Sequence, residues 1–222
     1  MPLQNPPAGA GTLAALPKQS LARRTLYRVW RHDLSDGTER RAPWWFASAD
    51  PGVKEGGRFD LPEPMGTCYL ATRPEAALLE ALQMRLTNLP REELKVRRLA
   101  HVTPPGDAPD AAMLTARRVA GEFGITAELW AGRDRALTRA WAQALRRDGW
   151  WAIYGGVAHD PSGRLRSVAL FDGHGEHPPT HGGRWRYRTH SIDDDASLEQ
   201  ALGRFGVSVR EPGQLPRARF RK

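Results

Sequence analysis

Three runs decide how this chain reads: Glu55-Gly56-Gly57-Arg58-Phe59-Asp60, then Thr67-Cys68-Tyr69-Leu70-Ala71, then Thr72-Arg73-Pro74-Glu75 at the head of a leucine-rich segment. The first reads as a tight turn, because paired glycines permit positive φ and let the backbone approach a ligand or another strand closely. The second has the residues of a short strand, on which Tyr69 faces away from Cys68 and Leu70. In the third, Thr72 and Glu75 have the spacing of a capping box, and Pro74 falls in a first turn, where its missing N–H does no harm. A helix is therefore predicted from about Arg73. Leu78, Leu79, Leu82 and Leu86 repeat at threes and fours as its buried stripe, with Ala76, Glu80 and Met84 along a neighbouring line.

Arg58, Tyr69 and Glu80 follow one another at intervals of eleven residues, on a loop, a strand and a helix. Singly, each has an ordinary reading as a surface charge, a core aromatic or a solvated helix glutamate. Together they can converge on one cleft where strand ends and helix starts meet.

Upstream, Thr25-Leu26-Tyr27-Arg28-Val29-Trp30 alternates as a strand that puts Arg28 on one face with Leu26 and Trp30, where it needs a partner or a ligand. Trp44-Trp45-Phe46 reads as core, with a cleft wall as the alternative. Downstream, strands are predicted over Leu94 to Val102, Trp150 to Tyr154 and Arg166 to Phe171, and helices from Asp110 to Phe123 and from Asp134 to Arg147. Leu137, Ala140, Trp141, Ala144 and Leu145 form the apolar side of the second helix, and Gly149 stops it. A strand around Trp185 to Arg188 and a short helix around Ala196 to Leu202 complete an α+β pattern without the rhythm of a doubly wound sheet.

At 222 residues, 40% of them hydrophobic, the chain is long enough to bury one sizeable core. The lone Cys68 forbids an intramolecular disulfide, and neither a leader nor a membrane-length apolar run is evident, so a cytoplasmic protein is expected. The net charge of +8 is concentrated at the ends: three charges come from Lys18, Arg23 and Arg24, and three from nine basic against six acidic side chains in residues 176–222. Residues 25–175 keep only +2, so direct nucleic-acid binding is not expected, and Arg217, Arg219, Arg221 and Lys222 read as a solvated end. His174, His177 and His181, near Asp172 and Glu176, are loosely spaced for a metal, but glycine and proline surround them and no cysteine joins them. They read as a polar exit loop, and no metal is expected.

Tyr27-Arg28-Val29, Gly56-Gly57-Arg58-Phe59, Cys68-Tyr69-Leu70-Ala71 and Ala77-Leu78-Leu79-Glu80-Ala81-Leu82 together resemble the RES domain family, the toxin half of RES–Xre toxin–antitoxin pairs. The resemblance runs from about Thr25 to Asp172 and implies an ADP-ribosyltransferase-like fold that binds NAD and cleaves its nicotinamide–ribose bond. Hydrolysis, phosphorolysis and ADP-ribosyl transfer are equally open on this reading. It implies that Arg28 and Arg58 hold the pyrophosphate, that Tyr69 faces the nicotinamide or its ribose with Tyr27 helping to line the site, and that Glu80 is the catalytic carboxylate. It further implies an Xre-type helix-turn-helix antitoxin as partner. The family's signature serine has no direct match: Gly156 stands at the expected place in Tyr154-Gly155-Gly156, which leaves Ser167 as the substitute and an inactive binding module as the first rival reading, with a basic nucleic-acid-binding protein, drawn from the net charge, the less favoured second. The division expected is a flexible lead-in over residues 1–24, a RES-like domain over 25–172 and a basic C-terminal extension over 173–222.

Overall fold

The computed structural model describes residues 2–34, 37–82, 88–193 and 195–211. Leu86 and Met84 of the predicted helix, and the basic residues Arg217, Arg219, Arg221 and Lys222, lie outside the described residues. In chain order the strands are β1 (Lys18–Gln19), β2 (Leu26–Arg31), β3 (Met65–Ala71), β4 (Asn88–Pro90), β5 (Arg97–Thr103), β6 (Ala111–Met113), β7 (Ala152–Gly156), β8 (Arg166–Gly173), β9 (Arg186–Ser191) and β10 (Ser208–Arg210). The helices are α1 (Pro74–Leu82), α2 (Arg91–Lys95), α3 (Arg117–Phe123), α4 (Glu128–Ala131), α5 (Arg135–Arg147) and α6 (Ala196–Arg204). Among the described residues, one sheet runs in the order β1-β6-β7-β8-β3-β2-β5-β9, and β10 pairs with β4 apart from it.

Most of its pairings are antiparallel, but β6 lies parallel to β7. Alternation sends Leu26, Trp30, Cys68 and Leu70 into one buried cluster with Trp44 and Phe46. The opposite face packs Phe171 and Ile153 under Trp141 and Leu145 of α5, while α1 and α6 cover Val29 and Leu99. The Asp134 side chain caps α5 by accepting from the Leu137 N–H at 2.9 Å, as its sequence implies. Two local predictions fail. Ala111–Met113 is a strand beside β7 rather than a first helical turn, because a parallel ladder with Ile153 and Tyr154 outweighs weak helix propensity. The Thr72 hydroxyl donates to the Arg166 carbonyl at 3.4 Å, so it bridges to β8 where a capping box was expected.

The lead-in is packed, not loose. Leu3, Leu13 and Leu16 are buried in one cluster with Trp141 and Trp150. The Leu13 N–H donates to Asp148 Oδ2 at 2.8 Å, Trp150 Nε1 donates to the Leu13 carbonyl at 2.9 Å, and Trp141 Nε1 donates to the Gln4 carbonyl at 2.8 Å. Buried indole N–H groups need acceptors, and this aperiodic segment supplies them. The expected boundary at 172 also falls away: it cuts β8, and residues 173–211 contribute β9 to the sheet edge and α6 to the cluster over α1.

One discontinuity in the sheet positions the cleft. Strand β2 pairs with β5 over six residues and β3 with β8 over seven, yet β2 and β3 share only the register pair Tyr27↔Ala71. Beyond it the two strands splay apart, and the sheet opens.

Replacing fully buried Leu13 by alanine should cost about 2–5 kcal/mol in urea unfolding, as for a core leucine. An effect under about 0.5 kcal/mol would mean that the N-terminal segment is not part of the cooperative fold.

Candidate active site

The opening between β2 and β3 is the floor of a cleft of about 750 Å³. Arg28 and Val29 from β2 and Tyr69 and Leu70 from β3 line it, with Gly57 and Arg58 from the loop before β3, Ala77 and Glu80 from α1, Arg133 and Arg135 at the start of α5, and Ala158 and His159 after β7. Four of the sequence-predicted residues, Arg28, Arg58, Tyr69 and Glu80, thus meet on one wall system. Arg28 sits in the gap itself: its guanidinium donates to Cys68 Sγ at 2.5 Å, to the Tyr69 carbonyl at 3.2 Å and to the Trp45 carbonyl at 3.3 Å. It takes the place of the ladder that β2 and β3 do not form.

The Gly-Gly-Arg loop is held from below by a residue that sequence reading missed. Arg139 on α5 is fully buried and donates to the carbonyls of Asp50 (2.9 Å), Val53 (2.6 Å), Glu55 and Gly57 (3.1 Å). Asp60, also buried, accepts from the Gly57 N–H at 2.6 Å and from the Tyr69 hydroxyl at 2.7 Å, and that hydroxyl accepts in turn from the Phe59 N–H at 2.8 Å. A Cβ on Gly57 would lie 2.3 Å from the Tyr69 hydroxyl, and Gly56 has φ +92°, so each glycine is required for its own reason. Burial is the first cause lifting Asp60 above the usual carboxylate range, opposed by the Tyr69 and Gly57 hydrogen bonds and by Arg139. Burial first, then Asp60, pushes the Tyr69 phenol well up. Tyr69 therefore stays neutral, with its hydroxyl engaged and its ring offered to the cleft.

Glu80 accepts a hydrogen bond from the Ala158 N–H at 3.1 Å. Burial raises its pKa, against the opposing pull of that N–H, Arg58 and Arg135. Arg58 donates to the Gly132 carbonyl and is itself lowered, by burial first and by Arg135 second. One carboxylate thus faces Arg28, Arg58, Arg133 and Arg135, an excess of positive charge suited to a polyanionic ligand. Arg135 carries no signal in the sequence beyond a first-turn position on α5, yet it lines the cleft, and its Nη1 has no hydrogen-bond partner among the described residues.

Two expected residues are elsewhere. Tyr27 is not among the residues lining the cleft; its ring lies 5.0 Å from that of His101 and packs against the cluster under α1. Ser167 donates to the Gly156 carbonyl at 2.9 Å beside the β7–β8 ladder and does not reach the cleft. A serine at 156 would displace a neighbour: a Cβ there would lie 2.3 Å from Trp130 Nε1. The exit-loop histidines have structural contacts. His177 stacks on Phe46, His181 stacks on Trp151, and His174 lies 3.4 Å from Glu63. Among the described residues the group with metal-like spacing is His32, Asp33 and Glu39, at the surface. No described helix is long and apolar enough to cross a membrane.

Residues 25–190 match the model of the RES domain family. No curated protein is significantly similar to the chain. Among solved structures, it is similar to a chain of the Mycobacterium tuberculosis MbcT–MbcA toxin–antitoxin complex. That likeness has a TM-score of 0.57 at 16% identity and covers 86% of this chain and 97% of that one. At this identity it shows a common fold.

The raised pKa of Glu80 means the folded protein holds that proton more tightly than the unfolded chain does. Stability therefore falls as pH rises from the ordinary glutamate value through the raised one, and the whole penalty stands above it. Glu80→Gln should melt at or up to about 3 °C above the parent at pH 8, with the gap closing below the ordinary carboxylate range. A lower melting temperature at pH 8 would contradict this. Gly156→Ser should displace Trp130 and cost about 1–3 kcal/mol, measured by chemical unfolding.

Proposed function

The chain belongs to the RES domain family, and on that footing we propose that it binds NAD in the cleft between β2 and β3 and breaks the bond between nicotinamide and ribose. The observation that carries this reading is the convergence of Arg28, Arg58, Tyr69 and Glu80 on one cleft. The pyrophosphate asks for fixed guanidinium donors. Arg58 and Arg135 supply them at the cleft wall, and Arg28, already tied to two carbonyls, contributes its charge from the floor. The neutral ring of Tyr69 is a flat wall for the nicotinamide or its ribose.

Loss of nicotinamide develops positive charge on the ribose, in a transition state like that of glycoside hydrolysis. Glu80 is the one carboxylate among the residues lining this cleft. Anchored by the Ala158 N–H, it is preorganised to stabilise that charge or to orient the ribose hydroxyls without rearranging. Burial makes its negative charge costly in the empty cleft and strongly favourable beside a cation.

The family reading also gives the protein an antitoxin partner. The similar fold was solved in a toxin–antitoxin complex, which supports a partner of that kind. The competing reading, an inactive binding module, draws on the absence of a serine from the residues lining the cleft.

NAD consumption by the purified protein, with products resolved, distinguishes the two. The enzyme reading expects nicotinamide release, a loss of about 100- to 1,000-fold in kcat for Glu80→Gln with a smaller change in KM, and a raised KM for Arg135→Ala. NAD binding without release supports the module. Free ADP-ribose, a phosphorylated product or a modified protein would identify the acceptor.

A further inference from the structure

His159 has no hydrogen-bond partner among the described residues, yet it lines the cleft. The residue before it, Ala158, is tied by its N–H to Glu80. The imidazole therefore projects from a backbone segment whose position is set by the same carboxylate that faces the reacting ribose. Ser162, the other polar candidate in this loop, is turned away, since its hydroxyl donates to Asp160 Oδ1 at 2.6 Å. With Ser167 of β8 bonded to Gly156 as well, His159 reaches the cleft and neither nearby serine does.

We propose that His159 is the base that takes the proton from a water acceptor when the nicotinamide–ribose bond breaks. This rests on the NAD-cleaving reading of the cleft and makes the protein a hydrolase. In the step, the water oxygen bonds to the anomeric carbon of the ribose. The electron pair of the carbon–nitrogen bond leaves with nicotinamide, which becomes neutral. The water proton passes to an imidazole nitrogen of His159 and then to solvent, so that NAD and water yield nicotinamide, ADP-ribose and a proton.

The surroundings suit that role. The charged and titratable groups facing His159 across the cleft are Arg28 from β2, Arg58 from its loop, Tyr69 from β3, Glu80 from α1, and Arg133 and Arg135 from the start of α5. Burial first, then Arg58 and Arg135, lower its pKa, so the imidazole is neutral and able to accept a proton at pH 7. A bound pyrophosphate offsets those two arginines and makes the imidazole more basic when substrate is present. Glu80 and His159 then divide the work, the carboxylate stabilising charge on the sugar and the imidazole receiving the proton.

The test uses the full chain in phosphate-free buffer, comparing wild type, His159→Gln, His159→Ala and Glu80→Gln for nicotinamide release with and without sodium azide. Azide attacks as an anion and has no proton to lose. The proposal expects hydrolysis to fall about 100-fold or more in both His159 variants at a KM within a few-fold of wild type. It expects azide to restore release in His159→Ala, with ADP-ribosyl azide as product, and to leave Glu80→Gln inactive. His159 variants that hydrolyse NAD at the wild-type rate, or whose loss azide does not relieve although they melt like wild type, overturn it. So does a wild type that releases nicotinamide only when phosphate is added. A wild type inert to NAD with every acceptor overturns the NAD reading itself.

Discussion

A fully buried arginine on a helix, Arg139, holds the loop from which the site is built. A guanidinium removed from water must find acceptors, and here they are the carbonyls of Asp50, Val53, Glu55 and Gly57. An irregular loop without a ladder of its own is thereby fixed to α5. Arg58 follows directly from the pinned segment, and the Gly57 N–H reaches Asp60, which orients the Tyr69 hydroxyl. Arginine, loop, aspartate and tyrosine form one connected set of hydrogen bonds. Losing any one member would leave a buried polar group unpaired at a cost of about 1–3 kcal/mol or more.

The second constraint is the split sheet. Two strands that diverge after one residue pair leave backbone edges without a ladder, which proteins tolerate only where something else satisfies them. Arg28 does so for the Tyr69 carbonyl of β3, and its bond to the Trp45 carbonyl ties it to the segment before β3. The same opening forms the floor of the cleft, between a part of the sheet led by β2 and β5 and another led by β3 and β8. Glu80 sits above it on α1, buried enough that its charge is disfavoured in the absence of a cation. This is the expected trade between stability and a poised site.

Much of this could be read before folding. The glycine pair, the strand at Tyr69, the helix at Glu80 and the strand at Arg28 each carry a local signal in turn chemistry, alternation or helical spacing, and all four lie close to where that signal put them. Arg139 carried the opposite signal: an arginine within an amphipathic helix reads as solvated, and only the loop laid across it shows where its five donors go. Arg135 and His159 were silent for a related reason. Each lies on a segment distant in sequence from residues 54–84, and its approach to the cleft depends on how α5 and the loop after β7 dock. The packed N-terminal segment was missed because isolated leucines filling slots have no period to detect.

The sequence by itself determined the element types and the chemistry of the central motif, because helical spacing, strand alternation and glycine conformations are properties of neighbouring residues. It also determined that Tyr69 leaves its strand on the face opposite Cys68 and Leu70 and that Glu80 lies off the leucine stripe of its helix. Tertiary structure alone decided that Tyr27 and Ser167 stand outside the cleft and that a side chain at Gly156 would have to displace Trp130. It alone brought Arg135, Arg139 and His159 to the site. These are matters of contact between separate segments, such as Arg139 and the Asp50 carbonyl 89 residues away, set by close packing and by the pairing of buried charges, and no local pattern encodes them.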